Sequence, residues 1–258
     1  MIRFFFVIFV VINLLATVNC HAQGKPKVEE PLRIAVSANF APVLKLLLKD
    51  FSKKTAIKSQ LISGASGAMF IQIKHGAPFD VFLSADSLRP EQLEQSNLII
   101  ENSRKTYAIG QLALLSKNMS SLEQLQHAPK RFAIANPDIA PYGKAAKETL
   151  QHLKLWQLYQ NRLVKGLNIG QTFMQLRSNS IADGIVAQSQ LVLNGLTGIT
   201  IPTSYHQPIK QQLVILKASK NLVKAQQFVD FLLSPASQQL IASYGYIQVP
   251  MKSRKNNK

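Results

Sequence analysis

Short apolar strands alternate with amphipathic helices from Leu32 onward, and this alternation limits the chain to an open α/β fold. "LRIAVS" reads as a buried strand. "APVLKLLLKDFSKKT" reads as a helix that places Leu44, Leu47, Leu48 and Phe51 on one face at i, i+3, i+4 and i+7. "KSQLIS", "AMFIQIKH", "DVFLSA" and "LRPEQLEQ" continue as strand, helix, strand, helix, and Gly76 closes the second helix. Such a series builds a mainly parallel sheet with helices on both faces.

The rhythm breaks at "KTYAIGQLALLS", a long extended stretch. A second series follows: "RFAIAN" strand, "YGKAAKETLQHL" helix, "RLVKGL" strand, "IGQTFMQLRS" helix, "GIVAQ" strand. A second long extended stretch, "QQLVILKA", ends it. Two α/β units joined by two extended crossings predict two lobes with a hinge. The closing helices, "LVKAQQFVDFLL" and "SPASQQLIASYGY", then return to the first lobe. In the last of these Ser234 is the expected N-cap, Pro235 the first helical residue and Gly245 the residue past the end.

The first residues read as an export signal. Arg3 precedes the uncharged run "FFFVIFVVINLLA", and Cys20 and Ala22 are small residues at −3 and −1 of a cut after Ala22. An uncleaved anchor and a lipid-modified Cys20 are the alternatives, and Asn19 fits the latter poorly. Cys20 is the single cysteine, so cleavage there leaves a chain with no disulfide, thiolate metal site or cysteine nucleophile. The expected organisation is a signal peptide at 1–22, a linker at 23–30, a first lobe from 31–108 plus 213–250, a second lobe at 109–212, and a disordered basic tail at 251–258.

Thirty Lys and Arg against 13 Asp and Glu give a net charge of +17. The cations are scattered and do not alternate with aromatic residues as in a base-stacking surface. A basic solvated surface that attracts anions at long range is the expectation. A basic envelope protein binding polyanions is the rival. Catalytic motifs are absent: the five histidines show no metal spacing, and there is no HExxH, GxSxG, GxGxxG or GxxxxGK[ST]. Asp80 and Asp86 flank one strand and read as strand-end and cap residues. No enzyme and no cofactor are expected.

Four segments share one design. "VSANF" places Ser37 and Asn39 between a strand and a helix, and "SGASG" does the same with Ser66. "NPDIAPYGKAA" places Tyr142 and Gly143 at a helix start, and "LNIGQTF" places Ile169 and Gly170 at another. Each leaves backbone N–H groups pointing out of a helix N-terminus. Such ends bind anions through N–H donors and the helix dipole, with no cation required. Ligands of open parallel sheets bind beyond the carboxyl ends of the strands, where all four segments lie. Donors without an acceptor suit a fully ionised tetrahedral oxyanion. Asp138, the acidic residue among these segments, reads as a turn residue.

At these residues the sequence resembles the periplasmic molybdate-binding proteins that serve ABC importers. The likeness runs from about Leu32 to Tyr246, on "AVSANF", "SGASG", "IKHGAPFDVFLSAD", "YAIGQLAL", "NPDIAPYGKAA", "NIGQTF" and "YGY". It implies a two-lobed type II periplasmic-binding fold with two hinge strands and a site for molybdate, or tungstate, in the cleft. It implies a periplasmic, monomeric protein that delivers the ion to a membrane permease and does not bind nucleic acid. Carried over, the site is Ala38, Asn39, Ser66, Tyr142 and Ile169, with molybdenum present only as the bound oxyanion. Ala38 stands where some relatives carry a hydroxyl residue, so its N–H or Ser37 must serve. Ala187 stands where others have a ligand-contacting tyrosine. Another tetrahedral oxyanion such as sulfate is the alternative ligand.

Overall fold

A computed structural model of the protein describes residues 30–127 and 129–249. The expected signal peptide, most of the linker and the basic tail lie outside the described residues. The chain opens with β1 (Leu32–Ser37), α1 (Ala41–Thr55), β2 (Ser59–Gly64), α2 (Ser66–Lys74), β3 (Val81–Leu83) and α3 (Leu88–Gln95). Along β1 the side chains divide by the period of two: Leu32, Ile34 and Val36 join one core cluster and Ala35 the other. Both faces of this strand are therefore covered, as a parallel sheet requires. Helix α1 buries Val43, Leu44, Leu47 and Phe51. Its last turn carries Lys53 and Lys54, which favour the negative end of the helix dipole.

The first expected crossing is two strands. β4 (Lys105–Gly110) and β5 (Leu112–Ser116) are separated by Gln111 and belong to different sheets. A uniformly apolar run carries no sign of where the chain leaves one sheet for the other. The second unit contains β6 (Phe132–Ala135), α4 (Pro141–His152), α5 (Trp156–Tyr159), β7 (Leu163–Gly166), α6 (Ile169–Arg177), β8 (Asp183–Ala187), α7 (Gln188–Leu193) and β9 (Ile199–Thr200). The return is made in residues 201–208, ahead of β10 (Ile209–Ile215), and not by the extended stretch itself. The chain continues through α8 (Leu222–Leu232) and α9 (Pro235–Ser243). The sequence reading did not anticipate α5, α7 or β9, all of six residues or fewer.

The first sheet has the order β2-β1-β3-β10-β4 and the second β7-β6-β8-β5-β9. In each, one strand runs against the other four: β10 in the first and β5 in the second. These are the strands that follow the two crossings. Helices α8 and α9 pack on the first lobe, where Phe228 meets Phe51 edge to face with ring centroids 5.7 Å apart. The Ser234 side chain caps α9 by accepting from Ser237 N–H, and Gly245 takes the left-handed conformation past its end (φ +81).

Candidate functional site

The starts of α1, α2, α4 and α6 meet in one small space. It is lined by Ser37, Ala38 and Asn39, by Gly64, Ala65 and Ser66, by Ala85, by Ala140, Pro141 and Tyr142, and by Asn168 and Ile169. All five residues expected from the sequence are among them. None of the lining residues is charged. Ala187 is not among them; it pairs with Leu112 in the second sheet.

The local sequence explains why the ends are bare. Pro141 opens α4, where the missing N–H costs nothing. Asn168 caps α6 with its side-chain oxygen on Gln171 N–H (3.0 Å), which leaves the N–H of Ile169 uncapped. Gly143 lets α4 sit against the end of β6, since a Cβ there would overlap the Ala135 carbonyl. As a result the backbone N–H groups of Asn39, Ser66, Tyr142 and Ile169 have no hydrogen-bond partner among the described residues. The Ala38 N–H is different: it extends the β1–β2 ladder by donating to Gly64 O at 2.9 Å. That N–H is thus engaged within the sheet, whereas the N–H of Asn39 is not.

Two hydroxyls stand side by side. Ser37 Oγ and Ser66 Oγ are 2.6 Å apart, and both residues are buried. Ser66 Oγ accepts from Ala85 N–H at 2.9 Å, and Ser37 Oγ donates to Leu83 O at 3.1 Å. Ser37 thus has an acceptor elsewhere in β3, and the Ser66 proton can turn from Ser37 toward an anion.

Behind the cavity lies a buried amide and phenol cluster. Asn39 Nδ2 reaches Gln211 Oε1 at 2.9 Å, Tyr246 Oη at 3.2 Å and Tyr142 Oη at 3.4 Å. Gln211 Nε2 donates to Tyr142 Oη at 3.1 Å, Tyr107 Oη donates to Gln211 Oε1 at 3.0 Å, and Tyr246 Oη donates to Asn39 O at 3.1 Å. Burial, reinforced by the neighbouring Tyr246, pushes the Tyr107 and Tyr142 phenols above their ordinary pKa, and burial does the same to Tyr246. All three remain neutral at physiological pH. This cluster ties the start of α1 to β4, β10, α4 and the segment after α9. The side chains of Asn39 and Tyr142 are engaged here, so it is their backbone N–H groups that are left for the cavity. Sequence reading missed Gln211 and gave Tyr246 no role. A lone glutamine in a strand carries no local signal, whereas Tyr246 stood in the quoted "YGY".

Asp138 takes the turn role expected, with its N–H on Asn136 Oδ1 at 3.1 Å. Asp86 pairs with Arg89, and Asp80 accepts from Arg33 N–H and Ser219 Oγ. Among the described residues no group of three or more His, Cys, Asp or Glu is placed to hold a metal ion.

The arrangement suits a small, fully ionised anion. Donors converge from four helix ends, and no charged side chain lines the space between them. The free volume is about 10 Å³, the size at which a cavity just holds one water molecule. A tetrahedral oxyanion therefore needs the walls to part.

A family described as bacterial extracellular solute-binding protein matches residues 32–247. The molybdate-binding protein ModA of Azotobacter vinelandii is 37% identical over 224 residues, covering 83% of this chain and 89% of that one. ModA of Rhodobacter capsulatus is 35% identical over 218 residues, covering 83% and 86%. The solved Azotobacter vinelandii periplasmic molybdate-binding protein superposes with a TM-score of 0.81 at 33% identity, covering 85% of this chain and 99% of that one.

Proposed function

We propose that this chain, which belongs to the bacterial extracellular solute-binding protein family, binds molybdate between its two lobes and delivers it to the membrane permease of an ABC importer. One observation carries the reading. Four unpartnered N–H groups, from four helix starts, border a single cavity that no charged residue lines. A dianion held this way is neutralised by dipoles and donors. A protonated oxyanion such as hydrogen phosphate would need an acceptor as well. The names of relatives 35% and 37% identical to this chain support molybdate as the ion. Tungstate, with the same charge and shape, would bind by the same groups.

In this reading the donors are the N–H groups of Asn39, Ser66, Tyr142 and Ile169, with the Ser66 hydroxyl as a fifth. Ala38 contributes wall and Ser37 supports Ser66. The protein acts in the periplasm as a monomer after its signal peptide is removed. Isothermal titration of the mature protein with molybdate, tungstate and sulfate tests the assignment. One-to-one binding of molybdate and tungstate, tighter than sulfate by tenfold or more, is expected. Equal or tighter binding of sulfate would replace molybdate as the ligand.

A further inference from the structure

The cavity lies between two larger openings that differ in charge and in how they are sealed. One, of about 400 Å³, shares Ala85, Ala140 and Pro141 with the cavity wall. Its charges balance: Arg89, Lys144 and Lys210 face Asp86, Asp138 and Glu148. On this side the lobes are joined by a hydrogen bond from Gly67 N–H to Ile139 O (3.0 Å). A Cβ on Gly67 would meet both that oxygen and Arg89 Nη2 at 3.0 Å.

The other opening, of about 670 Å³, lies between α1 and the pair α6 and α7, and shares Ala38 with the cavity. Its charged lining is Lys45, Lys49 and Arg177, with no acidic residue. Lys45 and Lys49 stand one helical turn apart on one face of α1, and Arg177 ends α6 in the other lobe. None of the three is ion-paired among the described residues. The wall toward the cavity is thin, since a Cβ on Gly170 would lie 3.5 Å from the Ala38 methyl. Among the described residues no hydrogen bond joins α1 to α6 or α7. No hydrogen bond between described residues crosses this groove, whereas one crosses between the lobes at Gly67; the buried Asn39–Tyr142 contact lies behind both openings.

We propose that the groove between α1 and α6 is the entrance for the oxyanion, and that Lys45, Lys49 and Arg177 draw the dianion to the Ala38–Gly170 seam. The inference rests on reading the cavity as an oxyanion site. Cations beside an opening raise the local concentration of an anion and its encounter rate, and salt weakens that effect. The buried donors of the cavity set the rate of escape. The surplus positive charge thus acts on arrival and not on retention.

The test is stopped-flow association of molybdate with the full mature protein, at low and near-physiological sodium chloride. Three proteins are compared: the parent, the triple variant Lys45→Gln, Lys49→Gln, Arg177→Gln, and the pair Lys144→Gln, Lys210→Gln from the other opening. The triple variant is expected to associate at least about threefold more slowly at low salt and to show a flatter salt dependence. Its dissociation rate should match the parent's, and the pair should associate like the parent. An unchanged association rate in the triple variant, or an equal loss in the pair, overturns the entrance. A parent that binds sulfate but not molybdate overturns the proposed ligand instead, and the same three proteins then test the entrance with sulfate.

Discussion

Gly67 donates its backbone N–H to the carbonyl oxygen of Ile139 at 3.0 Å, which joins the first turn of α2 in the first lobe to the loop before α4 in the second. The residues next to this bond, Ser66 and Ala140, line a cavity of about 10 Å³. An oxyanion cannot load into so small a space unless the lobes separate. Small-angle scattering of the mature protein should show a larger radius without molybdate than with it, as expected of hinged closure about a ligand. Identical radii in the two states would mean that the site loads without lobe movement.

Ser66→Ala tests the hydroxyl. A charge-assisted hydrogen bond contributes about 1.5–3 kcal/mol, so molybdate affinity should fall roughly tenfold or more. The change also removes the acceptor of Ala85 N–H in a fully buried setting. Thermal stability should therefore drop, by about 1–3 kcal/mol for the unsatisfied donor. Calorimetric titration and a melting curve on the same sample check both. Undiminished affinity would remove Ser66 from the site.

Tyr142→Phe separates side chain from backbone. The phenol oxygen takes bonds from Gln211 and Asn39, while the N–H of Tyr142 borders the cavity. The variant keeps the N–H and leaves the buried Gln211 Nε2 short of its acceptor, while Asn39 Nδ2 keeps Gln211 Oε1 and Tyr246 Oη. Stability should fall by about 1–3 kcal/mol, with molybdate affinity reduced far less than in Ser66→Ala. Abolished binding in a folded Tyr142→Phe protein would mean that the hydroxyl, and not the N–H, holds the anion.

The site should be indifferent to pH across the neutral range. Its titratable groups are the phenols of Tyr107, Tyr142 and Tyr246, all raised above the ordinary value of 10.0 by burial. The folded state then binds more protons than the unfolded state once pH exceeds the ordinary phenol value. Their contribution to stability is constant below about pH 10 and declines above it. Melting temperature followed from pH 7 to 11 should bend downward near pH 10. A change in molybdate affinity between pH 7 and 9 would point to a titrating group that these residues do not include.

The sequence by itself determined the longer elements and several of their ends. The helix of Ala41–Thr55 and the strand of Leu32–Ser37 are written in the spacing of their apolar residues, because a period of 3.6 or 2 is a local property. Ser234 and Gly245 marked one helix at both ends for the same reason. The four helix starts were also legible, since small, glycine and proline residues between a strand and a helix reveal bare N–H groups wherever the chain goes. Tertiary structure decided how those groups are used. Only the β1–β2 register takes the Ala38 N–H for Gly64 and leaves that of Asn39. Only the return of β10 beside β4 brings Gln211 to Asn39, 172 positions apart in sequence. The change of sheet at Gln111 was hidden for a related reason: an apolar run is equally content in either sheet. Hydrogen-bond pairing and burial are long-range and exclusive, so a residue's neighbours in sequence do not say which partner it will take.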